Sequence, residues 1–175
     1  MKDLEKYIRQ NYPIQTGLHN PILRKKSEKI EDFDEDLKEY AKILFEAMKL
    51  YDGIWLASPQ IWVNKRIVVI SQLDKKLKNI IFSEILVNPE IIEKSKKTEI
   101  HEEWCLSLPW IEAEVERPYK VKIKYQDLDG KFHELNATWF NAAIVQHEID
   151  HLDGILFLDK AKDKKDLNLA KLLKL

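Results

Sequence analysis

Between Asp34 and Tyr51 the apolar residues Leu37, Tyr40, Ala41, Leu44, Phe45 and Met48 recur at helical spacing. Asp34 stands ahead of them as an N-cap and Gly53 follows as a chain-reversing residue, so the pattern predicts an amphipathic helix. A loop containing Pro59 then leads into Arg66-Ile67-Val68-Val69-Ile70, a β-branched run that predicts a buried strand. A second strand is expected from Ile80 to Val87, ending at Asn88-Pro89. Val121-Lys122-Ile123-Lys124-Tyr125 alternates with period two, Asp129-Gly130 supplies a turn and Phe132 to Thr138 returns, which predicts a hairpin. From Thr138 the period becomes helical: Phe140, Ala143, Ile144, His147 and His151 share one face, with Gly154 expected at the C′ position. A short terminal helix is expected over 162–175. Strands and helices that do not alternate regularly indicate an α+β fold rather than a parallel α/β one.

Composition adds boundaries rather than function. A chain of 175 residues, 45% hydrophobic and 34% charged, is large enough to bury a core without disulfides, and no repeat or Pro/Gly/Ser-rich linker divides it. The expectation is one domain over 1–175. Twenty-nine basic residues nearly balance 30 acidic ones, so no overall field would draw nucleic acid or an anionic membrane. The lysine clusters at Lys75, Lys76 and Lys78 and at Lys94, Lys96 and Lys97 read as solvated faces. No stretch is apolar enough for a signal peptide or a membrane span, and the single cysteine, Cys105, cannot form an internal disulfide. Both observations lead to the expectation of a cytoplasmic protein.

The chemistry begins at His147-Glu148-Ile149-Asp150-His151. On a helix, residues four apart lie one turn above each other, so both imidazoles can reach one metal while Glu148 sits beside it as a general acid/base. A catalytic metal of this kind needs a third protein ligand. Zincin proteases use a downstream His or Glu, whereas here only Asp153, Asp159, Asp163 and Asp166 follow His151, which weakens the protease reading. The remaining soft donor is Cys105, a residue type that by itself is often an inert buried hydrophobe but that gains weight beside an H-E-x-x-H helix.

Three segments together resemble the peptide deformylase family: Gly53 to Gln60 against a G-x-G-L-A-x-x-Q loop, Glu103 to Ser107 against E-G-C-L-S, and Gln146 to His151 against Q-H-E-x-D-H. The likeness extends through His19 to Arg24, Val87 to Glu90 and the Arg117 to Gly130 region, and so covers most of the chain. It implies an α+β domain of antiparallel sheets packed around a central helix that carries the two histidines. It implies metal ligation by Cys105, His147 and His151, proton transfer by Glu148, and an oxyanion hole made by Gln60 and the backbone N–H of Leu106. Glu103 becomes a residue supporting the ligands or the cleft, with Arg117 as its partner. Ile54, Phe140, Ala143 and Ile144 would line a pocket for a methionine side chain. The implied activity is removal of the N-formyl group from newly made polypeptides, with formylated nascent peptides as partners and the ribosome as a candidate partner. The implied cofactor is one divalent metal: ferrous iron in the cell, with zinc, nickel or cobalt as replacements in purified protein.

Two family glycines are tryptophans here, Trp55 in the first motif and Trp104 in the second. At these positions a peptide would lie as an added strand, so both are expected to narrow or roof the substrate groove. Two other readings follow: a related metalloamidase or deacylase whose substrate has changed, and a non-catalytic homologue. The second sits poorly with the retention of Gln60, Cys105, His147, Glu148 and His151 together. Trp62 and Trp139 are expected in the core, and Pro59 is expected to stiffen the loop before Gln60. His19 and His133 fall in a turn and on a hairpin strand, and His101 is read as a non-ligand facing the side-chain pocket.

Overall fold

The computed structural model describes residues 2–74, 76 and 80–163, so the terminal helix expected over 162–175 and the Lys75 and Lys78 positions lie largely outside the described residues. The described residues form four α-helices: α1 Lys2–Asn11, α2 Pro21–Arg24, α3 Glu35–Leu50 and α4 Trp139–Leu152. Strands β1 Trp55–Ala57, β2 Ile67–Leu73, β3 Ile80–Lys94, β6 Lys120–Gln126 and β7 Phe132–Thr138 form an antiparallel sheet in the order β1-β2-β3-β6-β7. A separate antiparallel pair is made by β4 Thr98–Cys105 and β5 Leu108–Pro118.

Helix α3 begins where the periodicity starts, because the Asp34 carboxylate accepts a hydrogen bond from the Leu37 N–H at 3.0 Å. Its buried stripe of Leu37, Ala41, Leu44, Ala47 and Met48 packs with Ile67 and Val69 of β2. The alternate β2 residues, Val68 and Ile70, pack on the opposite face with Val145, Ile149 and Leu152 of α4. The β-branched run from Ile67 to Ile70 is therefore continuous because helices cover both faces of that strand.

Helix α4 lies between the two sheets. All its residues from Ala142 to Leu152 are buried, so it is a central helix rather than the one-faced helix read from its apolar positions. The inner face of the two-stranded sheet, with Cys105, Ala113 and Val115, closes a third core with Leu156, Phe157 and Leu158 behind α4. Gly154 ends the helix at φ 72°, and an added Cβ would come within 2.5 Å of the Arg24 carbonyl oxygen, which restricts the position to glycine.

Two expectations are corrected. Strand β3 does not end at Asn88-Pro89 but runs to Lys94 through a bulge, with Asn88 at φ 51°. The Asn88 side chain holds the bulge by accepting from Ile30 N and donating to Ile30 O and to Gln126, and the missing N–H of Pro89 falls where the ladder is already interrupted. Trp62 is not a core residue: it caps the 3-10 turn Ser58–Ile61 in a left-handed conformation and is 59% exposed. Trp139 is half-buried at the start of α4, with its ring 6.3 Å from that of Phe140. Among the described residues no helix is long and apolar enough to cross a membrane.

Candidate metal centre

Three elements converge on one buried point. Strand β4 alternates so that His101, Glu103 and Cys105 face inward, and α4 presents His147, Glu148 and His151 toward the same space. The 3-10 turn after β1 brings Gln60. The ligand atoms of Cys105, His147 and His151 all lie within 4.8 Å of one another, with Cys105 Sγ 3.2 Å from His151 Nε2.

The surroundings fix how each donor points. Glu103 accepts from His147 Nδ1 at 2.8 Å, which leaves His147 Nε2 turned to the centre, buried and without a protein partner. Glu103 is in turn gripped by Arg117 through both Nε and Nη2, and Arg117 Nη1 donates to Asp150 at 2.7 Å. Lys160 closes the chain of charges on the far side of Asp150 at 2.6 Å. Burial raises the Glu103 pKa, but the hydrogen bonds and charges of Arg117 and His147 outweigh it and hold the carboxyl at about 2.

Gln60 is oriented by its own turn. Its Oε1 accepts from the Ala57 N–H at 2.9 Å, so its Nε2 donates toward Cys105 Sγ at 3.3 Å and Ser107 Oγ at 3.2 Å. Pro59 sits in the first positions of the turn, where its fixed φ suits the geometry. Tyr40 of α3 anchors the turn from behind through a 2.5 Å hydrogen bond to Ser58 Oγ. Leu106 follows Cys105 at the reversal between β4 and β5.

The charge states suit a cation. Burial, then the charge of Glu148, pushes the Cys105 thiol up to about 12 in the bare protein, and a divalent ion would reverse this by stabilising the thiolate. Burial, followed by the charge of His147, holds His151 well below its usual range, so it is neutral as a ligand must be. Glu148 is 0% exposed, and neither carboxylate oxygen has a hydrogen-bond partner among the described residues; burial and then the charge of Glu103 push its pKa well above the usual carboxylate range. The buried, unpartnered Nε2 of His147, converging with Cys105 Sγ and His151 Nε2 on one point, is a thiol and two-imidazole donor set that fits a divalent metal.

Beside the ligands lies a recess lined by Trp55, His101, Glu102, Glu103, Trp104, Phe140, Ala143, Ile144 and His147. Phe140, Ala143 and Ile144 line this recess together with His101. Ile54 lines a neighbouring recess instead, with Gly53, Gln60, Cys105 and Leu106. Trp55 and Trp104 meet with ring centroids 5.8 Å apart at 41°, and Trp55 also packs edge-on against Phe140. Asp150, Lys160 and Ser107 were not singled out from the sequence. The available signal was Arg117, which falls in phase with the inward residues Ile111, Ala113 and Val115 of β5 and, at 2% exposure, requires buried carboxylates.

Residues 13–167 match the family model described as polypeptide deformylase. A peptide deformylase of Thermotoga neapolitana is 40% identical over 154 residues, 88% of this chain and 90% of that one. The solved peptide deformylase of Plasmodium falciparum superimposes with a TM-score of 0.81 at 36% identity, covering 91% of this chain and 94% of its own. A class I type b peptide deformylase of Acinetobacter baumannii with Met-Ala-Ser bound gives a TM-score of 0.78 at 32% identity, covering 85% of this chain and 97% of its own.

Proposed function

The chain belongs to the peptide deformylase family and carries that family's hydrolase activity and its Cys/His/His metal site; on that premise we propose how its own residues perform the reaction. The observation that carries the proposal is Glu148, a buried, unpartnered carboxylate on the same helix as two ligands and facing the same space. A divalent metal held by Cys105, His147 and His151 supplies Lewis acidity. Glu148 takes a proton from the attacking water as its oxygen bonds to the formyl carbon. The C–N bond then breaks, Glu148 passes the proton to the departing amine, and formate leaves.

Gln60 Nε2 and the Leu106 N–H donate to the formyl oxygen as it gains charge, each contributing about 3–4 kcal/mol to the barrier difference. Support for Gln60 comes from Ala57, which fixes its Oε1 and so commits its Nε2 to the site. Glu103 sets the tautomer of His147, and Arg117 with Asp150 holds Glu103 in place. The substrate is a peptide beginning with formyl-methionine. Its side chain enters the recess of Phe140, Ala143 and Ile144, and its backbone lies along the unpaired edge of β1 beside Trp55 and Trp104. The product-length Met-Ala-Ser in the Acinetobacter relative supports this class of ligand.

Formylated nascent chains are then its partners, met at or near the ribosome. Thiolate and imidazole suit ferrous iron, zinc, nickel and cobalt alike, and the working metal in the cell is taken as ferrous iron, with the others as replacements. A lone thiol ligand suits the reducing cytoplasm. The Trp55–Trp104 contact favours a restricted version of this activity, in which bulky or long peptides enter poorly. Formate release from formyl-Met-Ala-Ser by the metal-loaded protein tests the reading. Turnover is expected; metal bound one to one without turnover on any formyl peptide would contradict it and turn the search to other amides.

A further inference from the structure

Phe140, Ala143 and Ile144 give the side-chain recess apolar walls, and of its buried polar residues Glu103 and His147 are paired with each other. His101 stands in the inward row of β4, 8% exposed, with its ring 6.2 Å from Phe140, and its Nε2 is buried with no hydrogen-bond partner among the described residues. Folded proteins seldom leave such an atom unpaired unless something absent pairs with it. The ligand set accounts for His147 Nε2, whereas His101 lies outside that set and lines the side-chain recess. Burial lowers the His101 pKa, so the ring is neutral and Nε2 is available as a single donor or acceptor.

An all-apolar recess accepts methionine and norleucine alike and rejects a side chain of the same length that ends in an amide or sulfoxide, because the polar end loses water and gains nothing. A recess with an unpaired imidazole nitrogen compensates that loss. Methionine's thioether is only a weak acceptor and uses this group poorly.

We propose that His101 is a specificity-determining residue: its Nε2 hydrogen-bonds the end of the substrate's first side chain, so the recess takes unbranched side chains tipped by an amide or a sulfoxide as well as methionine. The inference rests on the reading that this recess holds the side chain next to the formyl group.

The test compares kcat/KM for formate release from formyl-X-Ala-Ser with X as methionine, norleucine, glutamine or methionine sulfoxide. It uses metal-loaded wild type, His101→Ile and His101→Gln. In wild type, the glutamine and sulfoxide peptides should fall within about tenfold of norleucine, and both ratios should drop about tenfold in His101→Ile, the scale of one hydrogen bond lost in a buried site. His101→Gln, which keeps a polar end, should retain much of the ratio. Equal ratios in wild type and His101→Ile overturn the proposal, as does a wild-type gap of more than about a hundredfold between norleucine and both polar peptides, a result readable even if His101→Ile does not fold. Failure to hydrolyse formyl-Met-Ala-Ser at all would overturn the deformylase reading itself and is distinguishable from either.

Discussion

Glu103 and Glu148 are both buried carboxylates beside the same pair of histidines, yet the protein treats them in opposite ways. Glu103 is held by Arg117 and His147, with Asp150 and Lys160 extending the network behind it. Glu148 has no partner on either oxygen among the described residues. A buried charge network that is fully paired is a structural device, whereas unpaired buried groups next to metal donors are kept for what arrives there. The contrast separates the groups that build the site from the groups that act in it, and the two should fail differently when changed.

The largest effect on folding is expected from Arg117→Ala, which leaves buried Glu103 with His147 alone and Asp150 with Lys160 alone. Unfolding in urea should show a loss of roughly 3–5 kcal/mol. A loss below about 1 kcal/mol would mean the network is not the support described, since that is the scale of an exposed pair. Next is removal of the metal. Because a ligand that binds only the folded state stabilises it by mass action, chelation should cost about 3–4 kcal/mol at metal levels 100 to 1,000 times Kd, read as a fall in Tm that added metal restores. An unchanged Tm would separate the orphaned atoms from metal binding.

A smaller effect, about 1–2 kcal/mol in kcat/KM, is expected at the groove, where replacing Trp55 and Trp104 together with glycine should raise turnover of longer formyl peptides more than of short ones. Equal or lower turnover of the long peptides in the double variant would reject the tryptophan pair as a restriction. The smallest concerns Tyr40. Burial raises its phenol pKa above the ordinary 10.0, so its contribution to stability is fully present below that pH and is lost as pH rises toward the higher folded value. Tyr40→Phe should lower stability at neutral pH by about 1 kcal/mol through the lost Ser58 hydrogen bond and should flatten the alkaline decline of Tm. An alkaline decline as steep as in wild type would place the responsible group elsewhere.

Much of this was legible in the sequence because period and chemistry coincided. The α3 stripe, the β-branched β2 run and the β6–β7 hairpin appear where their patterns placed them, and the three motifs meet at one point. What stayed hidden has physical reasons. The β3 bulge depends on Asn88 bonding to Ile30, a contact between residues far apart in the chain. The burial of α4 on all sides depends on a second sheet, whose strands β4 and β5 carry Glu102, Glu112, Glu114 and Glu116 among their outward positions and so do not read as a hydrophobic layer. Asp150 matches the Q-H-E-x-D-H motif without a role of its own, and the role comes from its contact with Arg117, 33 residues away in the chain. Trp62 and Trp110 could not be told from core aromatics by composition, yet they stand 59% and 93% exposed at left-handed positions, Trp62 after the 3-10 turn and Trp110 near the start of β5.

The most direct test of the division between Glu103 and Glu148 pairs metal content with turnover in one variant. Glu148→Ala, loaded anaerobically with ferrous iron, is predicted to bind metal one to one and to keep the wild-type fold while releasing formate from formyl-Met-Ala-Ser about 10²–10⁴-fold more slowly. Turnover within a few-fold of wild type would contradict the account, because the unpaired carboxylate would then have no part in the chemistry.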